Sequence, residues 1–178
     1  MARKLRATHA GIHHVFARSQ VDDPLFRDDH DHLRFETELR TICAHEVALT
    51  CIAACTIGTH YHLLLEVEDG VLPTVMKQLN SAYARAFNAR YQRRGHAFAS
   101  RYGSKPVLFD DQLLTTYRYV VRNPVEAGLC AHPADWRWSS YSTLVGRSDR
   151  YAFADPSPVL AVCDGSLEIL RAFCRGVS

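Results

Sequence analysis

The chain has 178 residues, of which 47% are apolar and 22% charged, and its formal net charge is +2. That is room for one domain with a substantial core, and no stretch approaches the roughly 20 apolar residues of a membrane-spanning helix. The basic start, Met1 to Arg6, has no apolar run behind it, so no secretory leader is expected and the expected compartment is the cytoplasm.

In chain order, Gly11 to Arg18 is predicted as a short strand. Asp22, Asp23 and Pro24 open an acidic loop into a helix, in which Leu33, Leu39, Ile42 and Cys43 keep helical spacing to about His45. Val47 to Ile57 is apolar and rich in β-branched residues, the pattern of a buried strand. Cys51 and Cys55 lie four residues apart in it and should share a face, too far apart for easy bridging. With Cys43, Cys130, Cys163 and Cys174 they form no CxxC pair, so all six are expected as reduced thiols.

Gly58-Thr59 is a tight connection, and His60 to Val67 reads as the second strand of a hairpin. Val75, Met76, Leu79, Tyr83, Ala86, Phe87 and Tyr91 mark a long amphipathic helix ending near Gly95. Lys105 to Phe109 is a short strand, and a further helix starts at Asp110-Asp111. That helix should stop at about Asn123, because Pro124 follows. Strand, helix, strand, strand, helix, strand is the split βαβ, ferredoxin-like order: an α+β sandwich with an antiparallel sheet and helices on one face. Ala131 to Ser178 carries a Trp136-Arg-Trp138-Ser-Ser-Tyr141 segment and a last short helix around Leu167 to Phe173.

Charge is unevenly spread. Acids crowd Asp22 to Glu46, whereas Gly70 to Phe109 holds no Asp or Glu but collects Lys77, Arg85, Arg90, Arg93, Arg94, Arg101 and Lys105. Two readings stand. The tract forms a polyanion surface, since guanidinium meets phosphate through a planar fork of donors, or its charges are balanced by the acidic first helix after folding.

His60 and His62 stand at i and i+2 on a strand, so both imidazoles point to one face and Tyr61 to the other. Two nitrogen donors with open positions suit several divalent metals; two incidental surface histidines would show the same spacing. In the helix from Asp111, the apolar stripe is Leu113, Leu114, Tyr117, Val120 and Val121. Tyr119 and Asn123 lie off it, one turn apart, with Arg122 nearby. A carboxamide one turn below a phenol can complete a metal site while the phenol faces a metal-bound phosphate. No cysteine stands at zinc-ligand spacing from the histidines.

Gly58-Thr-His-Tyr-His-Leu-Leu-Leu65 resembles the HUH motif, two histidines around a bulky residue, of single-tyrosine transposases and relaxases. Tyr83-Ala-Arg-Ala-Phe-Asn88, Tyr91-Gln-Arg-Arg-Gly-His96, Tyr119-Val-Val-Arg-Asn-Pro-Val-Glu-Ala-Gly-Leu129 and Trp138-Ser-Ser-Tyr141 together resemble the REP-associated tyrosine transposases. Gly58-Thr59 replaces the usual proline–asparagine pair of that family, and Ala97 to Arg101 departs from its usual aromatic–glycine step.

The resemblance implies a transposase domain over 1–146 and a tail over 147–178. It places the attacking tyrosine at Tyr119 and the metal ligands at His60, His62 and Asn123, with Mg²⁺ or Mn²⁺ as cofactor. The implied partner is single-stranded or hairpin DNA, held by Arg85, Arg90, Arg93, Arg94, Arg101, Lys105 and Arg122 and cleaved through a 5′-phosphotyrosine by a monomer. A catalytically silent hairpin-binding protein is the alternative.

Overall fold

The computed structural model describes residues 9–20 and 23–175; the expectations for Met1 to Arg6 and for Asp22 fall outside them. The elements are β1 (Gly11–Arg18), α1 (Asp29–His45), β2 (Leu49–Ile57), β3 (His60–Val67), α2 (Val71–Arg90), β4 (Gly103–Val107) and α3 (Asp110–Glu126). Three short helices follow: α4 (Ser140–Leu144), α5 (Ser157–Val162) and α6 (Leu167–Arg175). The sheet order is β2-β3-β1-β4, with every neighbouring pair antiparallel. This is the expected α+β class. Among the described residues no helix is long and apolar enough to cross a membrane.

Alternation along β3 divides the molecule. Tyr61, Leu63, Leu65 and Val67 enter a core with α1 and α2, supplied by Phe35, Leu39, Val75, Met76, Leu79 and Tyr83. Leu64 enters a second core with Leu113, Tyr117, Val120 and Val121 of α3 and with Val159, Leu170 and Cys174 of α5 and α6. The expectation of helices on one face therefore holds only for α1 and α2. The sheet is apolar on its other side as well, and α3 with the C-terminal helices covers it.

Three local departures have identifiable causes. A β-bulge between Cys51 and Ala53 shifts the β2 register, so Cys51 joins the first core and Cys55 the second, not one face as expected. All six cysteines are free. The third long helix runs through Pro124 to Glu126 instead of stopping at Asn123. Pro124 lacks only one amide of the last turn, where Ala127 still donates to the Asn123 carbonyl (3.0 Å) and Leu129 to that of Pro124 (2.9 Å). The stop is Gly128, whose φ of 70° leaves the helical region at little cost. The last sheet strand also lies two residues earlier than its predicted span, 103–107 against 105–109.

Trp138 and Ser139 extend the sheet past β2. The Thr56 amide donates to the Trp138 carbonyl (3.0 Å), and Trp136 Nε1 donates to the Thr56 carbonyl (2.9 Å). Between these layers the buried His32 ring stacks on Phe26 (centroids 4.9 Å) and Trp138 (4.7 Å), its Nδ1 2.6 Å from Thr56 Oγ1.

Burial drives the His32 pKa from 6.5 down to about 4. Between those pH values the unfolded chain binds a proton the folded chain refuses, so this contribution is complete above pH 6.5 and lost as pH falls toward 4. In urea unfolding at pH 7 and pH 4.5, His32→Phe should show a smaller stability loss on acidification than the native protein. The full effect of the shift is roughly 3 kcal/mol.

Candidate active site

The register Arg18↔His60, Phe16↔His62 and His14↔Leu64 places His14, Phe16 and Arg18 on the same sheet face as His60 and His62. α3 crosses that face. Its stripe of Leu113, Tyr117, Val120 and Val121 is buried against the sheet, which turns Tyr119 toward the histidines. Tyr119 remains 45% exposed, its ring centroid 5.1 Å from that of His62 and 5.7 Å from that of His14, both edge-on. Asn123, one turn further on, is only 8% exposed. The sequence places it clear of the core; the sheet covers it, and its carboxamide acts on the His60 ring.

Both imidazoles are poised to donate lone pairs. Burial lowers the His62 pKa to about 2, with further lowering from His14, His60 and Arg18. Burial also lowers that of His60, assisted by the Arg18 charge and opposed by Asn123. Both are neutral at physiological pH. His60 Nε2 and His62 Nε2 are buried with no hydrogen-bond partner among the described residues, an arrangement that costs free energy unless something binds there.

The other ring nitrogens are engaged: His60 Nδ1 lies 2.9 Å from Thr59 Oγ1, and His62 Nδ1 lies 2.9 Å from His14 Nε2. When His62 Nε2 carries a lone pair, Nδ1 holds the proton and donates to His14, which fixes the tautomer a metal ligand needs. His14 itself, its pKa lowered to about 4 by burial and by Lys105, accepts as a neutral ring. Two neutral imidazole nitrogens and a carboxamide fit a divalent cation with open positions. No group of three His, Cys, Asp or Glu able to hold a metal occurs among the described residues.

The predicted basic residues separate into groups. Lys105 is on β4 opposite His14, on the histidine face, with Nζ 6.0 Å from the Phe16 ring centre. Arg90 is held by Asp28 (2.6 Å) and Asp31 (2.7 Å), and Arg93 by Asp23, so for these two the acidic segment before and at the start of α1 supplies the balancing charge. Arg122 bonds Glu126 and the carbonyls of Cys174 and Arg175, tying α3 to α6. Arg85, Arg94 and Arg101 are exposed without an ion pair among the described residues. Sequence reasoning missed His14 and Arg18. The period-two pattern of β1 puts them on one face, but only the pairing with β3 shows which face that is.

Residues 7–123 match the family model described as Transposase IS200 like. Among solved structures, the fold is similar to that of a REP-associated tyrosine transposase bound to a REP hairpin, with TM-score 0.69 and 14% identity over 83% of this chain and 87% of that one. A putative transposase from Deinococcus radiodurans R1 aligns with TM-score 0.45 and 18% identity, over 71% of this chain and 97% of that one. No curated protein matches the chain in sequence.

Phe16 backs the histidine pair, its ring 6.0 Å from His62 and 5.3 Å from His14. Gly103 makes the space for it: a Cβ there would lie 2.5 Å from the end of the Phe16 ring. Gly103→Ala should destabilise the fold by about 1–3 kcal/mol in chemical denaturation. Phe16→Leu in the same chain should recover much of that loss, and additive costs would show that the two do not clash.

Proposed function

The chain belongs to the IS200-like transposase family, and on that premise we propose a divalent-metal-dependent nuclease and strand transferase of the HUH single-tyrosine kind. It would cut single-stranded or hairpin DNA through a 5′-phosphotyrosine on Tyr119. One observation carries the proposal: two orphaned imidazole nitrogens, His60 Nε2 and His62 Nε2, on one sheet face with the half-exposed Tyr119 ring 5.1 Å from His62.

His60, His62 and Asn123 would hold Mg²⁺ or Mn²⁺, which when bound polarises the scissile phosphate and disperses charge on its non-bridging oxygens. The phenol oxygen of Tyr119 forms the new bond to phosphorus as the bond from phosphorus to the 3′-oxygen breaks. The phenolic proton leaves to the solvent that reaches Tyr119, and the departing 3′-oxygen takes up a proton, so charge balances. The phosphotyrosine preserves the energy of the cut bond, and attack by another 3′-hydroxyl reverses the step into strand transfer. α3, pinned by its buried stripe, holds the phenol over the site without a loop having to close.

Hairpin DNA as substrate, and membership of the REP-associated branch, rest on the motif resemblance and on the fold shared with the hairpin-bound relative. Lys105 is best placed to hold the strand at the site, with Arg85, Arg94 and Arg101 further along it; Arg90, Arg93 and Arg122 would have to exchange internal partners first. A monomer suffices, because Tyr119 and the three ligands come from one chain.

Incubation with hairpin DNA bearing a single-stranded extension and Mn²⁺ should give a covalent adduct on denaturing gels. Tyr119→Phe, the His60→Ala/His62→Ala pair and EDTA should each abolish it. An adduct with Tyr119→Phe would move the nucleophile elsewhere. Hairpin binding at low salt with no adduct would leave a DNA-binding protein without this chemistry. In titration calorimetry, His14→Ala should weaken Mn²⁺ binding by roughly 10- to 100-fold through loss of the tautomer-fixing bond; unchanged affinity would remove that role from His14.

A further inference from the structure

The guanidinium of Arg18, like those of Arg85, Arg94 and Arg101, has no ion pair among the described residues; what sets it apart is its place. Ten salt bridges among the described residues engage nine arginines, Arg27, Arg34, Arg40, Arg90, Arg93, Arg122, Arg137, Arg147 and Arg150. Arg18 is in none of them. It is exposed on β1 directly opposite His60, on the histidine face. Its backbone is fixed there, since the Arg18 carbonyl accepts from the Ala99 amide (3.0 Å).

The surroundings of Arg18 hold no compensating charge. The charged side chains that reach the three imidazoles are Arg18, acting on His60 and His62, and Lys105, acting on His14; no carboxylate acts on any of them. From α3 the site receives the Tyr119 phenol and the Asn123 carboxamide. Positive charge thus gathers around a pair of neutral nitrogens with no internal anion to balance it. An arginine serving only solubility has no reason to stand opposite a half-buried histidine with an orphaned nitrogen; one awaiting an anion does.

We propose that Arg18 is a catalytic residue whose guanidinium fork contacts a non-bridging oxygen of the scissile phosphate from the β1 side of the site. The inference rests on the nuclease reading above and adds to it the group that neutralises the phosphate. As the phenol oxygen adds to phosphorus, negative charge grows on the non-bridging oxygens. A donor already held by the sheet stabilises that growth without reorganising. The planar fork can meet two oxygens at once, which an ammonium cannot.

Single-turnover adduct formation with the same extended hairpin and Mn²⁺ tests this. Arg18→Ala should slow the step by about 100- to 1,000-fold, the usual loss for one such donor, while substrate affinity and Mn²⁺ affinity in calorimetry stay within a few-fold of native. Guanidinium ion added to the buffer should restore part of the rate to Arg18→Ala and none to Tyr119→Phe. Arg18→Lys should fall between native and Ala. A native rate in Arg18→Ala, a defect confined to substrate affinity, or no response to guanidinium overturns the assignment. The native protein run alongside separates the two levels. An adduct from native and Arg18→Ala alike removes only the arginine's role, whereas no adduct from the native protein removes the nuclease reading and this role together.

Discussion

Everything at the site depends on the period-two alternation of one internal strand. β3 lies between β2 and β1, so its backbone is paired on both sides and its side chains can only go up or down. Tyr61 goes into the first core, where its hydroxyl donates to Asn80 Oδ1 (2.8 Å) and its ring meets Phe35 (4.7 Å). That anchoring sends His60 and His62 to the opposite face. A register slip of one residue would exchange them, burying two imidazoles among leucines and exposing a tyrosine. The aromatic core and the donor pair are therefore two results of one packing decision.

The same decision explains the dryness of the site. A histidine pair on an open sheet would titrate near neutrality and spend much of its time protonated. Here α3 closes over the face, and desolvation lowers the pKa of both rings, that of His62 to about 2. The second helical layer is thus part of the chemistry as well as of the fold. It buries the two imidazoles, brings the phenol alongside them, and sets the Asn123 amide beside the His60 ring.

Features repeated along the chain could be read from the sequence, and features set by a distant partner could not. The bounds of β1 and β3 and the spacing of His60, His62, Tyr119 and Asn123 follow from local periodicity. The bulge at Cys51 has no periodic signature, so the two cysteines of β2 went to different layers unannounced. Pro124 is a stop signal by local rules, but a proline in the last turn removes a single amide, and Gly128, four residues past it, ends the helix. His14 and Arg18 carry no motif; their place follows from the pairing of β1 with β3, strands more than forty residues apart. The fate of Arg90 and Arg93 was set by acids more than fifty residues upstream.

Those ion pairs change what the acid-free tract can do. Seven cations between Gly70 and Phe109 suggest a long electropositive track, but two of them enter the folded state already neutralised. An anion arriving at Arg90 or Arg93 must first displace a carboxylate of the same chain, so a contact there costs an internal ion pair. The sensitivity of binding to ionic strength should therefore count fewer contacts than the sequence contains. The five left without an ion pair among the described residues are Lys105 at the site and Lys77, Arg85, Arg94 and Arg101 beyond it. If the folded protein meets nucleic acid as proposed, it does so with a few separate points of charge, and the spacing between them, not their sum, would set the path of a strand.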